Sequence, residues 1–580
     1  MEKEKEFMAV GNNVIRIQIT VVVFVLSAFS AQRVWAQTGA DQAFPVVLRS
    51  AEDKMAAKQW KEAAELWERV VQANPVQVRF WKQLADALYR SKDYKKAIPV
   101  YEKVIELRGG GYPAASAYNI ACCYALLGDK ESAMTWLQKS FTMGYPFVEE
   151  TIADADLISL HGDPRFQNLV GQIDTSKMSR EQGWRTDIDL LVREVKRKGY
   201  VFQRTSSDDF AASVNELIKS IPRLTDLQMS IELMRLVAKL GDGHTTVTLG
   251  PNSPQEFLVT LPIKFYLFKE GLFVIATDPK YKELLGAQVL RFENNDVPTV
   301  INALTPLINR DDSNMWIAER APFLMRHLPL LHGLGLISSG KKVELTLRDF
   351  QGNTRTVQIE ADMSQPNIGN VLPSPKGWIN LFETSSAPPP LYLKNESAAY
   401  WYEYIPDRRL VYFQYNLIRD TREETLAKFC DRLFKFIADH DVDKLVIDMR
   451  WNNGGNIFLN QSLLRVLMAD GKVNRRGKLF IIIGRRVFSA AQTALGYFEK
   501  NTNAILIGEP SGSSPNFIGE EDFITLPYSK LLANVSDLSW QGTWPTDHRT
   551  WIAPQIYIEP TFEAYRTSRD PVMEAIFSYQ

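Results

Sequence analysis

The period of the hydrophobic positions changes several times along the chain, and each change marks a different kind of element. Ile19–Phe29 is a nearly unbroken apolar run, preceded by a polar, charged stretch and followed by Val34-Trp35-Ala36. It falls well short of the ~20 apolar residues of a spanning helix and has the length of a secretory core, with a cut placed before Gln37. Residues 1–36 are therefore expected to be a signal peptide, with an uncleaved anchor as the alternative. Over 43–175 the pattern repeats: Ala63, Trp67 and Val70 return as Ala97, Tyr101 and Val104, an offset of 34 residues. A third set (Ala121, Tyr124, Ala133, Leu137, Ser140) is displaced by two residues near Gly109-Gly110-Gly111. Small residues where helices cross and aromatics in adjoining sockets are what stacked helical hairpins need. Residues 180–257 are expected to be mainly helical, with Leu217, Ile221, Leu224, Met229, Leu233, Leu236 and Leu240 at roughly helical spacing as far as the breaker Gly241-Asp242-Gly243-His244-Thr245. Residues 258–362 are expected to be short strands with helical pieces, such as Leu272–Ile275 and the alternation Val343, Leu345, Leu347. Residues 363–400, rich in Pro and Ser, suggest a linker. From 401 to 580 strands and helices alternate: Val411–Tyr415, the amphipathic stretch Thr421–His440, Leu445–Ile447, Leu479–Ile483, Ala490–Glu499 and Ala504–Ile507. This order predicts a partly parallel sheet covered by helices.

Composition narrows the function. The chain has 580 residues, 45% hydrophobic and 23% charged, which is ordinary for a globular protein and long enough for several domains. With 67 basic and 68 acidic side chains it lacks the surplus that phosphate binding needs, so no nucleic-acid partner is expected. Three cysteines, two of them adjacent at Cys122 and Cys123, exclude a disulfide scaffold, and Cys430 falls on the apolar face of its helix. There is no HExxH and no CxxC pair, so zinc has no obvious ligands, and the acyl-transfer chemistry considered below requires neither metal nor cofactor. No later run approaches the length of a membrane span, and the mature protein is expected to be exported to the periplasm or outside the cell.

The candidate chemistry lies in three segments. Ser489 follows a strand and opens a helix, where free amides at the helix N-terminus would face an oxyanion. The bland alternative is a capping box, Ser489-x-x-Gln492. The segment is not the Gly-x-Ser-x-Gly elbow of the α/β-hydrolases. Asp448-Met449-Arg450-Trp451-Asn452-Asn453-Gly454-Gly455 ends another strand with two glycines, through which a backbone can approach a ligand closely; a simple turn is the alternative. His244, in its glycine-rich loop, is the candidate base. His548, beside Asp547, is the second choice.

The repeats resemble tetratricopeptide repeats, which bind peptides or proteins on a concave face; a spacer or docking role fits as well. Leu285-Gly286-Ala287-Gln288-Val289-Leu290 followed by Glu293–Asp296 loosely resembles the core of a PDZ domain, which implies docking of an extended peptide by strand addition. The order Gly-Asp-Gly-His-Thr, PDZ-like region, Asp-x-Arg-x-Asn-x-Gly-Gly, Ser at a helix start and Gly508-Glu509-Pro510 resembles the C-terminal-processing (tail-specific) peptidase superfamily, which also holds the tricorn core and the interphotoreceptor retinoid-binding protein. The resemblance covers roughly 180–580. It implies a multidomain fold with a helical repeat region, a helical bundle, a PDZ-like α+β domain and an α/β core of ClpP/crotonase-like mixed sheet. It further implies a serine endopeptidase acting on peptides or protein tails. Ser489 matches the nucleophile, and Gly454, Gly455 and the Ala490 amide match the oxyanion hole. The tail-specific lysine is missing from Gly508–Asn516, so the matching base is His244 of the tricorn-like branch. Asp547 is the implied orienting acid and Glu509 a weaker one. A binding protein on the same fold, without turnover, remains the alternative.

Overall fold

The computed structural model describes residues 44–107, 112–145, 147–171, 173–198, 202, 204–249, 253–363, 374–520 and 523–579. The expected signal peptide with its cleavage site, and the Gly109-Gly110-Gly111 run, lie outside these residues. The chain divides into two compact units, Met1–Ile173 and Asp174–Gln580.

The first unit is helical. Trp60–Ala73, Val78–Arg90, Tyr94–Leu107, Tyr112–Leu126 and Lys130–Thr142 follow one another in antiparallel hairpins. The repeating positions are what hold it together: Ala63, Trp67, Val70, Ala97, Tyr101, Val104, Ala133 and Leu137 are all buried. Pro99 lies in the second turn of its helix, where it removes one intrahelical hydrogen bond. All three cysteines of the chain are free and buried, two of them here.

In the second unit, a six-stranded sheet runs Ile556–Tyr557, Ile505–Gly508, Leu479–Ile483, Lys444–Asp448, Leu410–Tyr415 and Tyr400–Ile405. Every pairing is parallel except the last, which is antiparallel. The inner strands carry continuous apolar runs, Leu445–Ile447, Leu479–Ile483 and Ile505–Ile507, because both faces are covered. Against one face lie the helices Leu426–Asp439, Asn460–Ala469 and Ala490–Asn501. The helix expected from Thr421 begins at Leu426 instead. Asp420 and Thr421 bond backbone groups of the following turn, and Thr425 caps the helix. Phe429, Cys430, Leu433 and Ile437 face the sheet, as their spacing predicts.

A second, antiparallel sheet holds Ile263–Phe268, Gly271–Thr277, Gln288–Phe292, Lys342–Arg348 and Thr354–Glu360, closed by helices from the 297–333 segment. The stretch expected to be a linker contributes to it: Ile379–Asn380 pairs with the end of Gly271–Thr277. The helices Arg180–Lys198, Ser207–Ser220 and Asp226–Ala238 form another core with Val247, Leu526, Leu531 and Ala533. Thr246–Thr248 pairs with Leu532–Asn534, which ties the loop carrying His244 to the far end of the chain. Among the described residues no helix is long and apolar enough to cross a membrane, and no group of three or more His, Cys, Asp or Glu is placed to hold a metal.

Candidate active site

Ser489 and His244, 245 residues apart in the chain, meet. His244 Nε2 lies 3.0 Å from Ser489 Oγ. Ser489 opens the helix Ala490–Asn501 yet makes no side-chain cap bond, and both amide atoms of Gln492 lack a protein partner. The capping-box alternative therefore fails. Although the residues around it lack the Gly-x-Ser-x-Gly pattern, Ser489 has φ 56° and ψ −130°, a strained conformation for a non-glycine residue. The tight strand-to-helix turn projects Oγ away from the helix, toward the imidazole.

The glycines explain how the turn is accommodated. Gly454 has φ 114°, and a Cβ there would meet Ser489 Cβ at 2.9 Å and the Ala490 nitrogen at 3.0 Å. Only a residue without a side chain lets the two turns touch. The Gly454 amide, however, donates to Asn452 Oδ1 at 3.0 Å. The Ala490 and Gly455 amides carry no hydrogen bond among the described residues, and that of Ala490 belongs to the residue after Ser489.

His244 is 8% exposed. Its ring is held between Phe488 (centroids 4.7 Å apart) and Phe517 (5.4 Å), and Trp316 stacks on the other face of Phe488 at 4.2 Å. Burial pushes the imidazole below its ordinary pKa, opposed by the Asp242 carboxylate and the backbone of Ile518. The ring is accordingly neutral at pH 7, with Nε2 free to accept the Ser489 proton. Nδ1 makes no hydrogen bond of good geometry.

Asp547 does not supply that bond. Its carboxylate accepts from the Arg549 guanidinium (2.8 and 3.0 Å) and from Thr543 Oγ1 (2.8 Å), and these bonds, Arg549's above all, hold its pKa down to about 2. An arginine two residues away has captured the acid that the sequence points toward the imidazole. Glu509 is likewise taken, by both ends of the Arg485 fork at 2.5 and 3.1 Å. His548 is exposed. The residue that sequence reasoning passed over is Asp242. Its Oδ1 accepts from the backbone amides of His244 (2.7 Å) and Thr245 (2.6 Å) and from Ser536 Oγ (3.3 Å), while Oδ2 is buried without a partner. An Asp two residues before a histidine in a glycine-rich loop is an Asx-turn signal, and it was readable.

Comparison with known proteins adds two findings. Residues 48–112 and 114–143 match tetratricopeptide-repeat models. The N-terminal helices are tetratricopeptide repeats. A curated relative, a chloroplastic protein of Arabidopsis thaliana, is 31% identical over 98 residues, which spans 16% of this chain and 29% of that protein. Beyond the repeats, the chain is similar to solved structures of mature CPAF complexed with lactacystin (12% identity, TM-score 0.49, 68% of this chain and 97% of that one). Others are the photosystem II D1 C-terminal processing protease (14%, 0.32, 67% and 96%) and the tricorn protease (11%, 0.31, 68% and 36%).

Proposed function

We propose that the protein is an exported serine endopeptidase that hydrolyses peptide bonds in peptides or protein tails through an acyl-enzyme. The observation that carries this reading is the 3.0 Å approach of His244 Nε2 to Ser489 Oγ, with Ser489 strained at a helix start and its cap bond unmade. In the first step Ser489 Oγ attacks the scissile carbonyl carbon and its proton passes to His244 Nε2. The oxyanion of the tetrahedral intermediate is received by the Ala490 amide, with the unbonded Gly455 amide, rather than that of Gly454, as the second donor. The C–N bond then breaks, and His244 gives its proton to the leaving amine. Water, deprotonated by the same imidazole, releases the acyl group and restores Ser489. In this scheme Asp242 replaces Asp547: it fixes the loop through backbone bonds and stabilises the imidazolium by charge rather than by a bond to Nδ1. The antiparallel sheet is assigned the PDZ-like role of docking an extended chain, and the repeats that of holding a protein partner. Export rests on the apolar run Ile19–Phe29 and the site before Gln37.

The test is incubation of the protein beginning at Gln37 with a mixed library of unstructured peptides, products being read by mass spectrometry. Cleavage is expected, and Ser489→Ala and His244→Ala should each lower it by about 10⁴-fold or more. Absence of cleavage by the unmutated protein would favour the second reading, a binding protein without turnover. The observation on that side is that no carboxylate bonds His244 Nδ1, which makes no hydrogen bond of good geometry.

A further inference from the structure

Beside the Ser489–His244 pair is a cavity of about 140 Å³, with room for a side chain rather than for a water or two. One wall is the strand Thr246–Thr248, which continues directly from His244, and Gly243 lies at its inner end. The opposite wall is one face of the helix Met315–Leu324 and the turn after it, where Trp316, Arg320, Leu324 and His327 recur at intervals of four, four and three. The rim residues Thr248, Asn309 and Arg320 are half-buried, so the cavity opens to solvent.

Two of these residues are unsatisfied. His327 is 3% exposed, and neither ring nitrogen has a hydrogen-bond partner. A neutral imidazole carries one donor and one acceptor, and burying both unpaired in an apolar wall is costly. Arg320 makes no hydrogen bond or ion pair among the described residues; its guanidinium rests on the Trp316 and Phe323 rings at 5.9 and 4.7 Å. The adjacent Glu319 carboxylate bonds Arg486 instead. Phe323 links the two, its ring 6.4 Å from that of His327. The wall also leads to the nucleophile, because Trp316 stacks on Phe488, the residue before Ser489. The two stacking steps from Trp316 to His244, 4.2 and 4.7 Å, span about three residues of extended chain.

We infer that this cavity is a specificity pocket for a carboxylate on a short apolar stem, belonging to a substrate residue within about three positions of the scissile bond. Arg320 pairs with the carboxylate, His327 donates to it or to the water it carries, and the leucines of the wall receive the stem. The inference rests on the peptidase reading for the ligand being a peptide. The carboxylate has two sources, an Asp or Glu side chain or a free chain terminus.

Binding is measured by fluorescence polarisation on the Ser489→Ala protein, which cannot turn over, so the result is independent of the cleavage assay that decides the peptidase reading. Three peptide pools serve as probes: acetylated and amidated peptides with one Glu, the same with Gln, and neutral peptides with a free carboxyl terminus. At least one carboxylate pool is expected to bind about tenfold or more tighter than the Gln pool, and which one identifies the source. Arg320→Gln in the same background should abolish the preference, and His327→Phe should reduce it. Equal binding of all three pools, no binding of any, or a preference that survives Arg320→Gln would overturn the inference. The comparison of pools needs no pocket variant to fold.

Discussion

A residue at φ 56° and ψ −130° that is not glycine carries a cost of about 1–3 kcal/mol, and at Ser489 the surroundings hold it there. Gly454 is part of that support. Gly454→Ala would place a methyl group 2.9 Å from Ser489 Cβ at a φ of 114°, and it is expected to cut peptide cleavage by ~10²-fold or more through misplacement, with a modest fall in melting temperature. Two buried titratable residues give opposite pH effects. Burial raises the Asp311 carboxyl to about 7, against the pull of Arg204 and the Ser514 amide. The folded state therefore holds that proton more tightly than the unfolded one, and stability is lost as pH rises from about 4 through 7. Asp311→Asn should raise the melting temperature at pH 8 and leave it nearly unchanged at pH 4, as a thermal scan at the two values would show. His327 is the reverse case: burial, aided by Arg326, lowers its pKa to about 4. Its neutral form is stable above about 6.5, and stability falls as pH drops toward 4. His327→Leu should flatten that acid slope, by at most ~1.4 kcal/mol per pH unit. Ser489 and His244 were legible as residues because each sits at a break in the hydrophobic pattern. Asp547 misled because a matching place in the chain after Ser489 says nothing about Arg549, which pairs with it and with Glu499 at once.

In the proposed reaction the base is carried by the short loop from Gly241 to Thr245, joining the helix Asp226–Ala238 to an edge strand. Asp242 does two things there, and substitution separates them. Asp242→Asn keeps an oxygen for the His244 and Thr245 amides but removes the charge that raises the imidazole's proton affinity. The acid limb of kcat/KM should move to lower pH, and the maximum fall by about tenfold. Asp242→Ala loses the backbone bonds as well and should cost more, in both kcat and stability. The strands and helices of the α/β core were readable because their apolar runs are continuous and their helical faces regular. The onset at Leu426 rather than Thr421 was not, because a side chain bonding its own turn competes with the helix in a way periodicity does not report.

The molecule is two compact units, and the residues of the proposed reaction all belong to Asp174–Gln580. Expressed alone, that unit is expected to cleave short unstructured peptides with kcat/KM within about threefold of the longer protein. Any larger difference should be confined to folded protein substrates that the tetratricopeptide repeats would engage. Side-by-side progress curves on both substrate types would decide it. The repeats were legible from their offset alone, since each copy restates the same packing. The stack of Trp316, Phe488, His244 and Phe517 was not, because four rings from four distant segments leave no local pattern.

That stack also sets which reagents can touch the centre. Both faces of the imidazole are covered, while Ser489 is half-buried. Electrophiles that acylate exposed histidines would modify His548 long before His244, whereas a fluorophosphonate arriving along the path of a peptide carbonyl meets the serine first. If the proposed reaction holds, such a reagent would label the centre covalently, one tag per active molecule, and Ser489→Ala would abolish the label.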